Sequence, residues 1–320
     1  MPAAALGLLG AIVYGSADFL GGVAARRIGP LRTTAVGAVA GLALLLLALP
    51  LVGGAWSAAA LGWGALSGLV GTVAVALLYA CLAIGPMSIL SPLTALVSAL
   101  VPLTWGLLGG DRFEPVGYVA IGLALVAVVL VGFVPEKDAV RPRPRALGMA
   151  VAAGAMIGVF LILLDQTPPE SGVVPLIANR VANAAVMWTV VALVAARARR
   201  RAPATVGGTA AGGGAATGGR SVRPDGLAVR PGGLPDRPTM RLDSRGAGVA
   251  AAGGAFDATA NLLILVALRL GDLATVSVLT ALYPAGTILL AAVVLRERVA
   301  PVQWVGLVLA IVAAALLALS

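Results

Sequence analysis

Ten apolar runs of roughly 20 residues dominate this chain, and runs of that length match the thickness of a bilayer's hydrocarbon core. They lie at about 3–24, 33–52, 58–83, 87–108, 115–134, 146–164, 173–196, 247–268, 273–294 and 301–319. Inside lipid every backbone N–H and C=O must be satisfied within the protein, so only helices or a closed barrel can span. A barrel requires alternating strands and aromatic girdles. Aromatic residues are only 4 % of this chain and no alternation is visible, so the runs read as helices. Charged residues make up 11 %, against about 25 % in a soluble domain. Too little polar surface remains for a soluble enzyme, a secreted disulfide scaffold or a disordered regulator. Ala, Leu, Val and Gly prevail, which suits close helix packing in lipid. The first run has no basic flank and carries Asp18, so it reads as a retained helix rather than a cleaved leader.

Residue counts narrow the chemistry. There is no His, which removes His-ligated metals, His-based triads and haem ligation by His. The single cysteine, Cys81, cannot form an intrachain disulfide, and it reads as a small packed residue. No phosphate-cradling glycine loop and no glycine-flanked serine elbow is present. The expectation is a non-enzyme with no cofactor and no metal. Residues 197–245 are rich in Arg, Gly and Pro and read as a disordered linker between the seventh and eighth spans. That segment holds most of the net charge of +9. The basic balance is thus a topology signal beside an anionic membrane surface, and no nucleic-acid partner is expected.

The chain also repeats itself. Gly85 through Pro115 aligns with Gly271 through Pro301: Ser91, Thr94 and Ala95 meet Ser277, Thr280 and Ala281, and Asp111-Arg112 meets Glu297-Arg298. Nearer the starts of the halves, Leu6-Gly7 meets Leu147-Gly148. The two offsets differ by about the length of the Arg/Gly/Pro-rich segment, so the insertion belongs to the second half. The expected organisation is a first five-helix repeat at 1–135, a short basic linker at 136–145 and a second repeat at 146–320, interrupted by 197–245. Five is odd, so the halves must cross the membrane in opposite senses. That inverted repeat is the architecture of many secondary transporters.

On these residues the chain resembles the EamA-type transporters of the drug/metabolite transporter superfamily. The two five-helix repeats, the Gly85-Pro86 link and the acidic-basic pairs followed by Pro115 and Pro301 carry the resemblance. Tyr14 through Gly22 is similar to a first-helix pattern of actinobacterial members. The resemblance implies ten helices around a central cavity lined mainly by helices one, three, four, six, eight and nine. It implies export of amino acids, other metabolites or drugs, with protons as a candidate coupling ion, from a multi-pass position in the plasma membrane.

Three ionisable residues fall well inside the spans: Asp18, Arg180 and Asp257. A charge at mid-helix costs about 2.5–3.5 kcal/mol on insertion scales, so each needs a partner or a water-filled cavity. Asp18 and Asp257 are expected to face the cavity and to bind a proton or a cationic group. The alternative is a structural ion pair with Arg180. Asn261 shares a helix face with Asp257 and Asn183 shares one with Arg180. Spans four and nine carry hydroxyl rows, Ser91, Thr94 and Ser98 in one and Thr280, Tyr283 and Thr287 in the other. These either glue helices together or meet a substrate. Pro92, Pro102 and Pro284 can kink their spans. Tyr14 and Trp105 either stack on an organic solute or pack. Asp111-Arg112, Glu297-Arg298, Arg269 and Asp272 sit near helix ends as anchors or gate-edge residues.

The leading expectation is a secondary exporter of small organic solutes working by alternating access. Uptake or exchange through the same fold is an alternative. From another class comes a membrane scaffold or lipid-handling protein. A solute-sized centre containing Asp18 and Asp257 would favour transport, and a fully packed centre the scaffold. Membrane lipids and a small organic solute are the expected partners; the sequence is silent on oligomeric state. Apart from Arg180, only Arg112 and Arg269 lie outside the links that follow odd-numbered spans. The charges therefore place those links in the cytoplasm and both termini outside, whereas the resemblance implies termini inside.

Overall fold

The computed structural model describes residues 2–84, 87–132, 143–201, 243–294 and 299–319. They form α1 (Pro2–Ile28), α2 (Pro30–Val52), α3 (Ala58–Ile84), α4 (Met87–Gly109), α5 (Pro115–Gly132), α6 (Pro144–Asp165), α7 (Val174–Arg201), α8 (Ser244–Leu270), α9 (Leu273–Thr280), α10 (Tyr283–Val294) and α11 (Pro301–Leu319). A single 3-10 turn, Pro169–Ser171, precedes α7. Among the described residues there is no strand. Counting α9 and α10 as one, nine helices among the described residues are long and apolar enough to cross a membrane. The tenth is α7, which carries Asn179, Arg180 and Asn183 in its first half.

Several boundaries differ from expectation. α7 runs on to Arg201 and α8 starts at Ser244, both inside the segment read as linker. Basic residues complement the dipole at a helix C-terminus, so an Arg-rich tail need not end a helix. At the other edge Asp243 caps α8, its carboxylate accepting from Arg245 N at 3.2 Å. The remainder of that segment (202–242), most of the short basic linker, the Gly85-Pro86 link and Glu297-Arg298 lie outside the described residues. Of the three prolines expected to kink, Pro92 and Pro102 sit within a continuous α4. Only the span holding Pro284 is broken. There Leu282 N donates to Leu279 O and Ala285 N to Leu282 O, three-residue spacings that separate α9 from α10.

The main helix contacts join one half to the other. α1 packs on α8, as α6 packs on α3; α2 packs on α8, as α7 packs on α3; α4 packs on α6, as α9 and α10 pack on α1. The remaining major pairs across the halves, α5 with α11, α2 with α7 and α4 with α9, are their own counterparts. Exchanging the halves therefore reproduces the packing scheme, as an inverted duplication requires. Neither half encloses a core alone.

Glycine makes these crossings possible. A Cβ on Gly15 of α1 would collide with the backbone of Tyr283, Gly286 and Thr287 on α10. Thr287 Oγ1 uses that proximity to donate to Gly15 O at 3.0 Å. Gly64 of α3 lies equally close to Pro175 of α7, and Gly37 of α2 to Gly254 of α8. Around α4, α5, α9 and α11 the fill is largely alanine, with Ala95, Ala99, Ala124 and Ala313 fully buried. Association in lipid lacks a hydrophobic drive, so such close van der Waals contact supplies much of the stability.

Gly15→Ala should therefore lower stability by about 1–3 kcal/mol, the usual cost of overpacking. Gly248→Ala, at an exposed position of α8 with open space around it, should be neutral or up to about 1 kcal/mol stabilising. Unfolding midpoints of the two variants in detergent check the contrast.

Candidate functional site

A cavity of about 240 Å³ lies at the centre, bounded by both halves. The walls come from α1, α3, α4, α6, α8 and α9 as the resemblance implied, and in addition from α2 and α7. The α7 wall matters most, because it brings in Arg180.

Arg180 is 9 % exposed, and its guanidinium pairs with the carboxylate of Asp257 on α8. Gly41 of α2 borders the guanidinium, but what its missing Cβ permits is the approach of α8, since a Cβ there would stand 2.9 Å from Gly254 O. This is the ion pair weighed as one alternative for the acids, and it takes Asp257. Asp18 remains. It lines the cavity on α1 and is exposed, and among the described residues it makes no hydrogen bond or ion pair. Counting all three groups as ionised, the cavity carries one negative charge in excess.

The neutral polar groups have a definite polarity, fixed by proton bookkeeping. Ser67 Oγ donates to Gly64 O at 2.7 Å and Thr72 Oγ1 to Gly68 O at 2.8 Å. Each hydroxyl has one proton, so toward any other partner it can only accept. Asn179 Nδ2 donates to Ser67 Oγ at 2.8 Å, and Asn183 Nδ2 to Thr72 Oγ1 at 3.1 Å. These bonds tie α7 to α3. Asn261 Nδ2 donates to Asp257 O at 2.8 Å, one turn back on α8. Ser98 Oγ and Ser277 Oγ likewise donate to carbonyls of their own helices, Ala95 O and Ala274 O. Among the described residues two buried oxygens on the cavity wall have no partner: Asn261 Oδ1 and Thr280 Oγ1. The Tyr14 and Tyr283 rings meet beside them, with centroids 6.0 Å apart.

Of the residues singled out in the sequence, Asp18, Asp257, Tyr14, Asn261, Arg180, Ser98, Thr280 and Tyr283 line this one space. Thr94 and Trp105 do not. Thr94 is fully buried between α4 and α6, and its hydroxyl lies 2.9 Å from Leu90 O and 3.2 Å from Ala150 O, which makes it helix glue. Trp105 is 53 % exposed on the outer face of α4. The sequence reasoning passed over Asn179, Ser277 and Thr33 as wall residues. The signal for the first was available: Asn179-Arg180 with Asn183 is a polar cluster in an otherwise apolar span.

The two ends of the cavity differ. Toward the end where α1 begins, Leu161, Ile264 and Ser277 are buried. Toward the end where α1 finishes, Asp18 is exposed and Gly21 has open space around it. The buried end is sealed by cross-links between loops. Ala55 N donates to Glu170 O at 2.8 Å and Val173 N to Gly53 O at 3.2 Å. Gly54 and Gly172 approach so closely that a Cβ on either would strike the other loop's backbone, and both have positive φ. Arg269 at the end of α8 donates to Thr167 and to Pro168 O. Asp111 accepts from Ala274 N at the start of α9 at 3.4 Å.

The sequence model of the EamA-like transporter family matches residues 1–133 and 181–319. No curated protein matches. In fold the chain is similar to 29 solved chains, among them a crystal structure 16 % identical in sequence. That alignment covers 99 % of this chain and 98 % of the other, with a TM-score of 0.69.

Removing one member of a fully buried ion pair costs about 3–5 kcal/mol, an upper bound here because the Asp257 side chain is 26 % exposed, whereas replacing both is often neutral. Arg180→Met should thus be strongly destabilised, and Arg180→Met with Asp257→Leu should recover much of the loss. Thermal unfolding of the purified single and double variants measures this.

Proposed function

Because the chain belongs to the EamA-like transporter family, and is therefore a multi-pass membrane transporter of the drug/metabolite type, we propose that it exports small organic metabolites across the plasma membrane by alternating access. The observation that carries this reading is the cavity itself, solute-sized, walled by both halves, exposed toward one end and sealed at the other. A scaffold has no need of a hollow centre furnished with Asp18 and a buried ion pair. The pseudo-symmetric packing supplies what alternation requires, two halves that can rock about a site between them. The break between α9 and α10, beside Tyr283, is the natural place for such movement to be absorbed.

Charge gives the orientation. The exposed end of the cavity faces the links that follow odd-numbered spans, where the basic residues cluster. By the positive-inside rule that end is cytoplasmic and the sealed end external. A solute would then enter from the cytoplasm, which is the sense expected for export. Coupling falls to Asp18, the cavity carboxylate left without a partner, as the group that exchanges protons. Uptake or solute exchange would use the same walls, and direction is what the experiment must read.

The test is the metabolite-efflux profile of an overexpressing strain against a deletion strain. Selective accumulation of one solute class outside the overexpressing cells is expected; identical profiles would leave export without support. In proteoliposomes Asp18→Asn should keep the protein folded and abolish the pH dependence of transport. Unaltered pH dependence in both Asp18→Asn and Asp257→Asn would remove proton coupling. A reporter fused at Ser320 should report from outside the cell, and a cytoplasmic signal would reverse the orientation. Arg269→Ala loosens the external seal, so it should raise solute leak and lower the concentration gradient reached.

A further inference from the structure

The cavity's polar groups state what kind of molecule can fill it. Three amides face it, and each has a side-chain N–H already committed: Asn179 to Ser67, Asn183 to Thr72 and Asn261 to Asp257 O. The wall hydroxyls of Ser98 and Ser277 use their protons on backbone carbonyls. Arg180, the one cation of the lining among the described residues, is held by Asp257. Each amide keeps a second N–H and the Thr280 hydroxyl keeps its proton, so the neutral lining offers donors as well as acceptors, and the charge balance is what selects. Asn261 Oδ1 and Thr280 Oγ1, on residues 4 % and 8 % exposed, are buried with nothing to accept. Asp18 adds a carboxylate with no counter-ion.

Thr280 is the more telling of the two orphans. Elsewhere in this chain Thr33, Thr72, Thr94, Thr104, Thr189 and Thr259 each place the hydroxyl by the carbonyl four residues back. Thr280 makes no such bond and stands at the last residue of α9, where the helix breaks. A buried polar group left unpaired costs about 1–3 kcal/mol, so an oxygen held this way signals a missing partner.

We propose that the cavity recognises a small organic amine in its ammonium form, with Asp18 neutralising the charge, Asn261 Oδ1 and Thr280 Oγ1 taking N–H bonds, and the Tyr14–Tyr283 pair bordering the organic part. This rests on the transporter reading and deepens it to a substrate class. A carboxylate finds no free cation here, because Arg180 is engaged. An amino-acid zwitterion would have to break the Arg180–Asp257 pair to place its acid group. A neutral solute leaves the excess charge of the cavity uncompensated. The volume admits a single ring with a short amine chain.

The test is equilibrium binding of radiolabelled phenethylammonium to the purified full-length protein, with competition by phenylethanol, phenylacetate and phenylalanine. The amine should outcompete each of the other three by about tenfold or more, the range of one charge-assisted hydrogen bond. Asp18→Asn should weaken amine binding about tenfold or more, and Asp18→Glu should recover part of it. Thr280→Val, which keeps the side-chain shape, should weaken it several-fold. Equal affinity for amine and alcohol, preference for the acid or the zwitterion, or no effect of Asp18→Asn in protein with a wild-type unfolding midpoint would each overturn the assignment. Loss of a folded protein in Asp18→Asn transfers the decision to Thr280→Val and the competition series. Counterflow in proteoliposomes separates the two levels. Amine that binds but does not move would sink the transport reading and keep the ligand class. Movement of other solutes without amine binding would do the reverse.

Discussion

The Arg180–Asp257 pair is the interaction on which the interior depends. A guanidinium in the middle of an apolar bundle has no stable position without a compensating charge, and insertion scales put the cost of leaving it alone at about 2.5–3.5 kcal/mol. Pairing it with α8 sets the rotation of α7, and with it the direction of Asn179 and Asn183 toward α3. One ion pair thereby orders the α3, α7 and α8 walls of the cavity, while α1 presents an acid that no partner neutralises among the described residues.

Around this pair, hydrogen bonding is used for orientation more than for stability. Serine and threonine hydroxyls that bond back to their own helix are usually regarded as passive in membrane proteins. Here, at Ser67 and Thr72, that back-bonding has a consequence for a neighbouring helix. With its proton committed, each hydroxyl becomes an acceptor and forces the facing amide to turn its nitrogen outward from the cavity. The orientation of these two amides follows from such small local choices.

Much of the architecture was legible before any coordinates. Span count, duplication and inverted sense rest on hydropathy and on an odd number of helices, and both are properties of a one-dimensional string. Asp18, Arg180 and Asp257 stood out because a charge in an apolar run is conspicuous. What escaped was relational. Thr94 and Thr280 occupy equivalent places in the two repeats and read alike, yet one bridges to α6 and the other ends a helix with its hydroxyl unpaired. The difference arises from Pro284, which aligns with Ser98 and has no proline counterpart there. Trp105 could stack or pack, and only its position on the outer side of α4 decides. That α2 and α7 form walls could not be read either, since it depends on which half leans on which.

The seal at the end where α1 begins is built from main chain, Gly53-Gly54 against Ser171-Gly172, with positive φ at three of those positions. Carbonyls and amides are the same in every residue, so a closure of this kind cannot be retuned by exchanging side chains; it can only be kept or broken. Diversification of such a protein toward new cargo is thereby channelled into the walls, where single replacements alter charge and shape without touching the latch. A mutational scan would be expected to divide sharply along that line, intolerant at the glycines of the closure and permissive, with altered selectivity, one helical turn or more below it.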